Sequence, residues 1–152
     1  MAQGIWKIAR DLTKNRIPVV VVVGLVSGNK ILTGQRKDND LWTFPGGHMD
    51  EGETIIEAAI REVQEETAIP IAAEDLEIIH AEKVKSHRTG RNFGVICFIA
   101  NILKLEGHTH EDPDDEVHCW KWVELDSKTT ELHPDYRHAK NDFILKHLGI
   151  HQ

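Results

Sequence analysis

Residues 47–69, GHMDEGETIIEAAIREVQEETAI, constrain this chain more than any other stretch. Gly47 is followed by Glu53 and then by a helix-forming run with Arg61-Glu62-Val63-Gln64-Glu65-Glu66 at its centre. Glu62, Glu65 and Glu66 fall at i, i+3 and i+4, which puts three carboxylates on one face of an α-helix. Like charges at that spacing destabilise an isolated helix, so the cluster calls for a compensating charge. Hard divalent cations such as Mg²⁺ take oxygen ligands. The segment therefore points to a metal-dependent enzyme acting on phosphates.

The rest of the chain reads as elements arranged around that helix. The helix itself is expected over 54–67, with an apolar stripe of Ile56, Ala59, Ile60 and Val63. Residues 17–26 form a valine-rich run that suits a buried central strand. Ser27-Gly28-Asn29 is a turn signal, and 30–36 return as a second strand, so the two make a hairpin. Leu41 to Phe44 is a short extended piece ahead of Pro45-Gly46-Gly47. Residues 75–86 and 93–104 read as two long strands joined by a polar turn, and Val117 to Val123 as another. Trp120 and Trp122 alternate along it and share one face. Residues 135–148 read as a closing helix with Phe143, Ile144 and Leu148 inward. For the N-terminal segment with Trp6 and Ile8, an edge strand, packing on the core and a dimer contact all remain open. Periodicity alone gives an α/β or α+β domain with a mixed sheet.

Length and charge narrow the partners. The 152 residues suit one domain, 1–152. A net charge of −7 argues against a general nucleic-acid surface, which would be basic. The two cysteines, Cys97 and Cys119, lack disulfide or zinc spacing, which suits a reduced, cytoplasmic protein. The N-terminus lacks the apolar stretch of a signal peptide, and the apolar run 18–26 is too short to span a bilayer.

The segment 47–69 resembles the Nudix box, G-x5-E-x7-R-E-U-x-E-E-x-G-U with U a bulky aliphatic residue. Gly47, Glu53, Arg61, Glu62, Val63, Glu65, Glu66 and Ile69 match in register. The pattern's second glycine is Ala68 here. A left-handed residue is common at that helix exit, where alanine would cost roughly 1 kcal/mol. A slightly altered exit is therefore expected, with Pro70 as a firm stop.

The resemblance implies an α/β/α sandwich with a mixed central sheet and a loop–helix–loop catalytic element. It implies Mg²⁺, with Mn²⁺ as substitute, held by Glu62, Glu65 and Glu66 and by the carbonyl of Gly47. Glu62 is one candidate general base. The acidic loop 110–116 supplies the other, Glu116 first and Glu111 next, with Glu116 also a candidate metal ligand. Arg61 is expected to orient a glutamate, and Glu53 to favour the helix N-terminus and its capping.

Substrate class rests on what is missing outside the box. The family's ADP-ribose type carries a proline past the box, yet none stands between Pro70 and Pro113. Its dinucleoside polyphosphate type carries a tyrosine there, yet the only tyrosine is Tyr136. The expectation is thus a MutT-like enzyme converting a (d)NTP to a monophosphate and pyrophosphate, as a monomer or homodimer. The alternative is hydrolysis of a nucleotide sugar, ADP-ribose or a dinucleoside polyphosphate. A third class is a non-catalytic nucleotide-binding module. Arg36, Arg88 and Arg91 are candidates for phosphate contacts, and Phe44 or Trp42 for base stacking, against solvent exposure and core packing respectively.

Overall fold

The computed structural model describes residues 2–102, 117–126, 130–133 and 141–150, with the backbone alone at 117–119. The expected base in the loop 110–116, Glu116 with Glu111 as second choice, lies outside these residues, as does Tyr136.

Three helices and seven strands build the described chain: α1 (Ala2–Lys14), β1 (Val19–Ser27), β2 (Lys30–Arg36), β3 (Trp42–Thr43), β4 (Gly46–His48), α2 (Ile55–Thr67), β5 (Leu76–Lys85), β6 (Asn92–Asn101), β7 (Val117–Glu124) and α3 (Asp142–His147). The strands form one mixed sheet. β1 lies at its centre, parallel to β6 from Val19↔Gly94 to Val26↔Asn101. β5 and β6 form the expected antiparallel hairpin, with a register shift between Ile78 and His80. β7 runs antiparallel along β2.

The central position explains why β1 reads as unbroken valine rather than as an alternating strand. Val20 and Val22 point to one face, and Val21 and Val23 to the other. On the first face, α1 and α2 bury Ala9, Leu12, Ala58, Ala59 and Val63 against Val21, Val23 and Phe98. On the second, Ile144 and Leu145 of α3 pack on Val20, Val22 and Cys97. Helices thus cover both faces, giving the α/β/α sandwich. In α3, Ile144 is inward as expected; Phe143 and Leu148 are half-buried, while Leu145 takes the second inward place.

Of the three options for the N-terminal segment, the chain takes packing on the core. Ile5, Trp6, Ala9 and Leu12 recur at helical spacing and face the sheet, and the Trp6 ring lies 6.0 Å from that of Phe98. Ile8 falls between these positions and is left exposed.

The sheet is forked where the box begins. β2 pairs with β1 only at Val26↔Ile31 and Ser27↔Lys30. Further down, β4 takes its place, with Val20↔His48, Val21↔Gly47 and Val22↔Gly46. A hydrogen bond from Val23 N to Pro45 O (2.8 Å) fixes the junction. Gly46 and Gly47 are therefore laid flat against the central strand, directly below α2.

Candidate metal and phosphate site

Local chemistry fixes where α2 starts and stops. Thr54 is its N-cap. Thr54 Oγ1 accepts from Glu57 N (3.1 Å), and Glu57 Oε1 accepts from Thr54 N (2.9 Å), a reciprocal capping box. The capping expected of Glu53 thus falls to Thr54 and Glu57, and Thr54-x-x-Glu57 was the signal for it in the sequence. At the other end Ala68 keeps the left-handed conformation, φ 60° and ψ 16°, and donates its N–H to Gln64 O. The exit is not altered by the alanine; the backbone strain is retained. The wider turn holds because Thr67 Oγ1 also accepts from Ile69 N and because Ile69 and Ile71 are buried.

The buried face of α2 is rotated from the expected stripe. Ile55, Ala58, Ala59, Glu62, Val63 and Glu66 are buried, whereas Ile56 and Ile60 are only half-buried. The helix turns its carboxylates inward over β4. Glu62 is 8% exposed and Glu66 is 6% exposed, extreme values for charged side chains. Their carboxyls hydrogen-bond each other, and Glu66 Oε1 accepts from Gly46 N at 3.3 Å. Burial raises the Glu62 carboxyl above its ordinary pKa; the bond from Glu66 and the charge of Arg61 work against that rise.

Gly47 makes room for the Glu62 carboxyl, and Gly46 lets β4 lie close against β1. A Cβ on Gly47 would lie 2.7 Å from the Glu62 carboxyl, and one on Gly46 would lie 2.2 Å from Val21 O. Neither position tolerates a side chain while β4 stays paired and Glu62 stays inward.

Arg61 ties the box loop to this cluster. Its Nε donates to Glu53 Oε2 (2.5 Å) and its Nη2 to Glu53 Oε1 (2.9 Å), a bidentate pair. Nη2 also donates to the His48 carbonyl (3.0 Å), and Nη1 to Glu62 Oε1 (3.0 Å) and Glu65 Oε2 (3.2 Å). Glu53 in turn accepts from Asp50 N at 2.7 Å. The Arg61 hydrogen bond holds the Glu53 carboxyl below the usual range, and Glu53 in return holds the guanidinium firmly protonated. The expected orienting role of Arg61 thus has its geometry, and Glu53 is the anchor behind it.

Gly47, Glu53, Arg61, Glu62, Glu65 and Glu66 come together. Arg36 holds Asp38 through Nε and Nη2, both 2.9 Å. Arg88 and Arg91 are exposed in the turn between β5 and β6. Phe44 is 3% exposed in the second core cluster, the packing option weighed for it. Trp42 carries Lys121 Nζ 4.8 Å above its ring. Trp120 and Trp122 do share a face and pack with the first cluster. One supporting residue escaped the sequence reading. Asn141, 1% exposed, donates to Trp42 O (3.3 Å) and Thr43 Oγ1 (3.1 Å), tying α3 to the strand that leads into Pro45. Its partners are 98 and 99 residues away, and no local pattern announces such a contact.

Among the described residues no three carboxylate, imidazole or thiolate groups form a ready-made chelate. The donor set nonetheless fits a hard cation. Two buried carboxyls share a hydrogen bond, a third stands beside them on Arg61, and a carbonyl-bearing glycine lies in contact with one of them.

A family model described as NUDIX domain matches residues 15–144. The chain belongs to the Nudix family. Among curated relatives of this Nudix chain, the dihydroneopterin triphosphate diphosphatase of Escherichia coli strain K12 is 37% identical over 71 residues, covering 46% of this chain and 47% of the relative. The ADP-ribose pyrophosphatase of Methanocaldococcus jannaschii is 43% identical over 113 residues, covering 70% and 64%. The chain thus spans between about half and two thirds of the length of these relatives. Two solved structures share the Nudix fold. The MutT NUDIX hydrolase of Burkholderia pseudomallei superposes with a TM-score of 0.64 at 21% identity, over 80% of this chain and 93% of that one. A bifunctional NMN adenylyltransferase/ADP ribose pyrophosphatase of Francisella tularensis, complexed with AMP and a Mn ion, gives 0.66 at 24% identity, over 96% and 46%. No described helix of the Nudix chain is long and apolar enough to cross a membrane.

Proposed function

We propose that this Nudix chain hydrolyses a pyrophosphate bond in a nucleoside diphosphate derivative, with Mg²⁺ as its cation and Mn²⁺ as a substitute. The observation that carries this reading is the buried Glu62–Glu66 carboxyl pair, packed on Gly47 and steered by Arg61. A purely structural helix gains nothing from burying two carboxyls together. A bound divalent cation would neutralise phosphate oxygens and acidify a water. The chain's own part is then specific. Glu62, Glu65, Glu66 and the Gly47 carbonyl hold the cation. Arg61 keeps Glu62 and Glu65 aimed, and Glu53 keeps Arg61 in place. Glu62, with its carboxyl raised by burial, is the described candidate to accept a proton from the attacking water. Glu116 is the alternative base.

A (d)NTP cleaved to a nucleoside monophosphate and pyrophosphate is the first substrate class. A relative named for a triphosphate supports it. The relative named for ADP-ribose, similar over a longer stretch, supports the second reading, a nucleotide sugar or ADP-ribose. Arg36, Arg88 and Arg91 are the proposed phosphate contacts outside the box. The proposed setting is reduced and cytoplasmic, in keeping with two cysteines that lack disulfide spacing.

The test is a product-resolved screen with Mg²⁺ over canonical and oxidised (d)NTPs, ADP-ribose, nucleotide sugars and dinucleoside polyphosphates, with Glu65→Gln as control. Monophosphate and pyrophosphate from a triphosphate, lost in the control, support the first class. Turnover of ADP-ribose or sugar substrates alone moves the assignment to the second. Absence of any metal-dependent turnover leaves a nucleotide-binding module.

A further inference from the structure

α3 packs on the face of the sheet opposite α2, yet it grips the strand that leads to the carboxylate cluster. Its N-cap is Asn141, a residue type whose side chain normally bonds the first turn of its own helix. Asn141 makes no such bond. A side-chain cap contributes roughly 1 kcal/mol, and a helix of six residues has little other local support. The amide is aimed at β3 instead. Asn141 Nδ2 donates to Trp42 O and Thr43 Oγ1, and Thr43 Oγ1 donates to Phe44 O at 3.3 Å. Only one orientation of the amide serves the Trp42 carbonyl, which accepts and cannot donate. Asn141 and Thr43 are both buried, so water cannot take over these bonds.

β3 depends on such a hold. It has two residues, paired with β2 at Gly34↔Thr43 and Gln35↔Trp42. So short a strand has few ladder bonds of its own to fix it. Phe44, buried in the core on the α3 side, and Pro45, whose carbonyl accepts from Val23 N, carry its position on to β4. Gly46 N then meets Glu66 Oε1, and Gly47 lies against the Glu62 carboxyl. Gly46 follows the Thr43 anchor by three residues, so little chain is left to absorb a shift. α3 is itself seated closely on β1, where a Cβ on Gly24 would lie 2.8 Å from Ile144 Cγ2.

We propose that Asn141 is a positioning residue for the metal and phosphate site: from the far face of the sheet it sets β3, and through Phe44 and Pro45 it sets Gly46 and Gly47 beneath the Glu62–Glu66 pair. The effect on a cation rests on the proposed role of that pair; the hold on β4 does not.

The experiment compares Asn141→Ala, Thr43→Val and Thr43→Ser with the wild type by two readouts. One is amide hydrogen exchange at Gly46 in metal-free protein, and the other is calorimetric titration with Mg²⁺. Thr43→Val keeps the shape and loses the hydroxyl, whereas Thr43→Ser keeps the hydroxyl. Exchange at Gly46 should quicken roughly 10-fold or more in Asn141→Ala and Thr43→Val, equivalent to about 1.4 kcal/mol or more. The Mg²⁺ Kd should rise by roughly 10-fold or more as well, as when a residue that supports metal ligands is lost. Thr43→Ser should stay close to the wild type in both. Ile144→Val is the control for stability alone: it trims α3 over Gly24 and lowers Tm, but leaves the Asn141 bonds and both readouts in place. Circular dichroism verifies that each variant is folded at the working temperature. Unchanged Gly46 exchange in Asn141→Ala and Thr43→Val overturns the proposal, as does faster exchange with an unchanged Mg²⁺ Kd. Equal losses in Ile144→Val overturn it too, because they mark a structural role only. If the wild type takes up no Mg²⁺, the cation reading fails, while the exchange rates still decide whether Asn141 sets β4.

Discussion

Arg61 contacts more of the site than any single carboxylate: it holds Glu53, the His48 carbonyl, Glu62 and Glu65 at once. That combination needs a planar, forked donor set, which lysine lacks. Arg61→Lys should therefore lower kcat or metal affinity by roughly 10–100-fold, the usual effect of losing a residue that orients metal ligands. Steady-state kinetics against Mg²⁺ concentration read this out. Glu62 makes a different prediction, about pH. Its carboxyl is raised by burial, so the folded protein binds that proton more tightly than the unfolded chain does. Its contribution to stability is full below the unfolded carboxylate range and is lost as pH rises through the folded value. Glu62→Gln removes the penalised charge. In metal-free protein the Tm advantage of the variant should be absent in acid and grow toward neutral pH, while turnover is lost. Thermal melts across pH with chelator present check this; a constant offset would refute it. The box spacing made these residues legible, because position along a helix fixes which side chains share a face. Their burial was not legible, because it depends on β4 and on the absence of a Cβ at Gly46 and Gly47.

At the level of elements, the strands were readable because β1 and β2 are joined by a short turn and carry residues suited to a buried pleat. α1 was harder. Its apolar positions recur with helical spacing, yet a segment of thirteen residues with Gly4 near its start is marginal alone and is held by the sheet it covers. The rotated stripe of α2 has the same origin: the face set by Ile56 and Ile60 lost to the face that carries Glu62 and Glu66 over β4. The exit of α2 offers a test of stored strain. Ala68 holds φ 60°, where glycine sits without steric cost. Ala68→Gly should stabilise the protein by roughly 0.5–1 kcal/mol, after allowing for the greater freedom of glycine in the unfolded chain. For a domain of this size that is about 1–4 °C in Tm. A lower Tm would show that the alanine methyl packs well enough to outweigh the strain. Activity should be unchanged, because the Gln64 O contact made by the residue 68 N–H is a backbone bond that glycine keeps.

For the whole molecule, the carboxylate cluster, the forked sheet and the net charge of −7 bear on one equilibrium. A cation that binds between α2 and β4 would link a helix on one face of the sheet to a strand paired with β1, and it would offset the burial and the Glu65 charge that disfavour ionised Glu62. Neither benefit exists in the unfolded chain, where the glutamates are dispersed and solvated. Binding is thereby coupled to folding, and the stabilisation grows with the logarithm of cation concentration. At about 100 times Kd the gain is roughly 2.7 kcal/mol. Tm should accordingly climb by several degrees as Mg²⁺ is raised, and fall back on chelation. The slope separates specific binding from general screening of an acidic surface. Ca²⁺-free Mg²⁺ titrations of the wild type should show the rise. Glu62→Gln/Glu66→Gln should not, although its net charge is less negative and it keeps the rest of the acidic surface. Equal rises in both proteins would mean that Mg²⁺ acts on the surface at large, and the buried pair would then need another explanation than a cation.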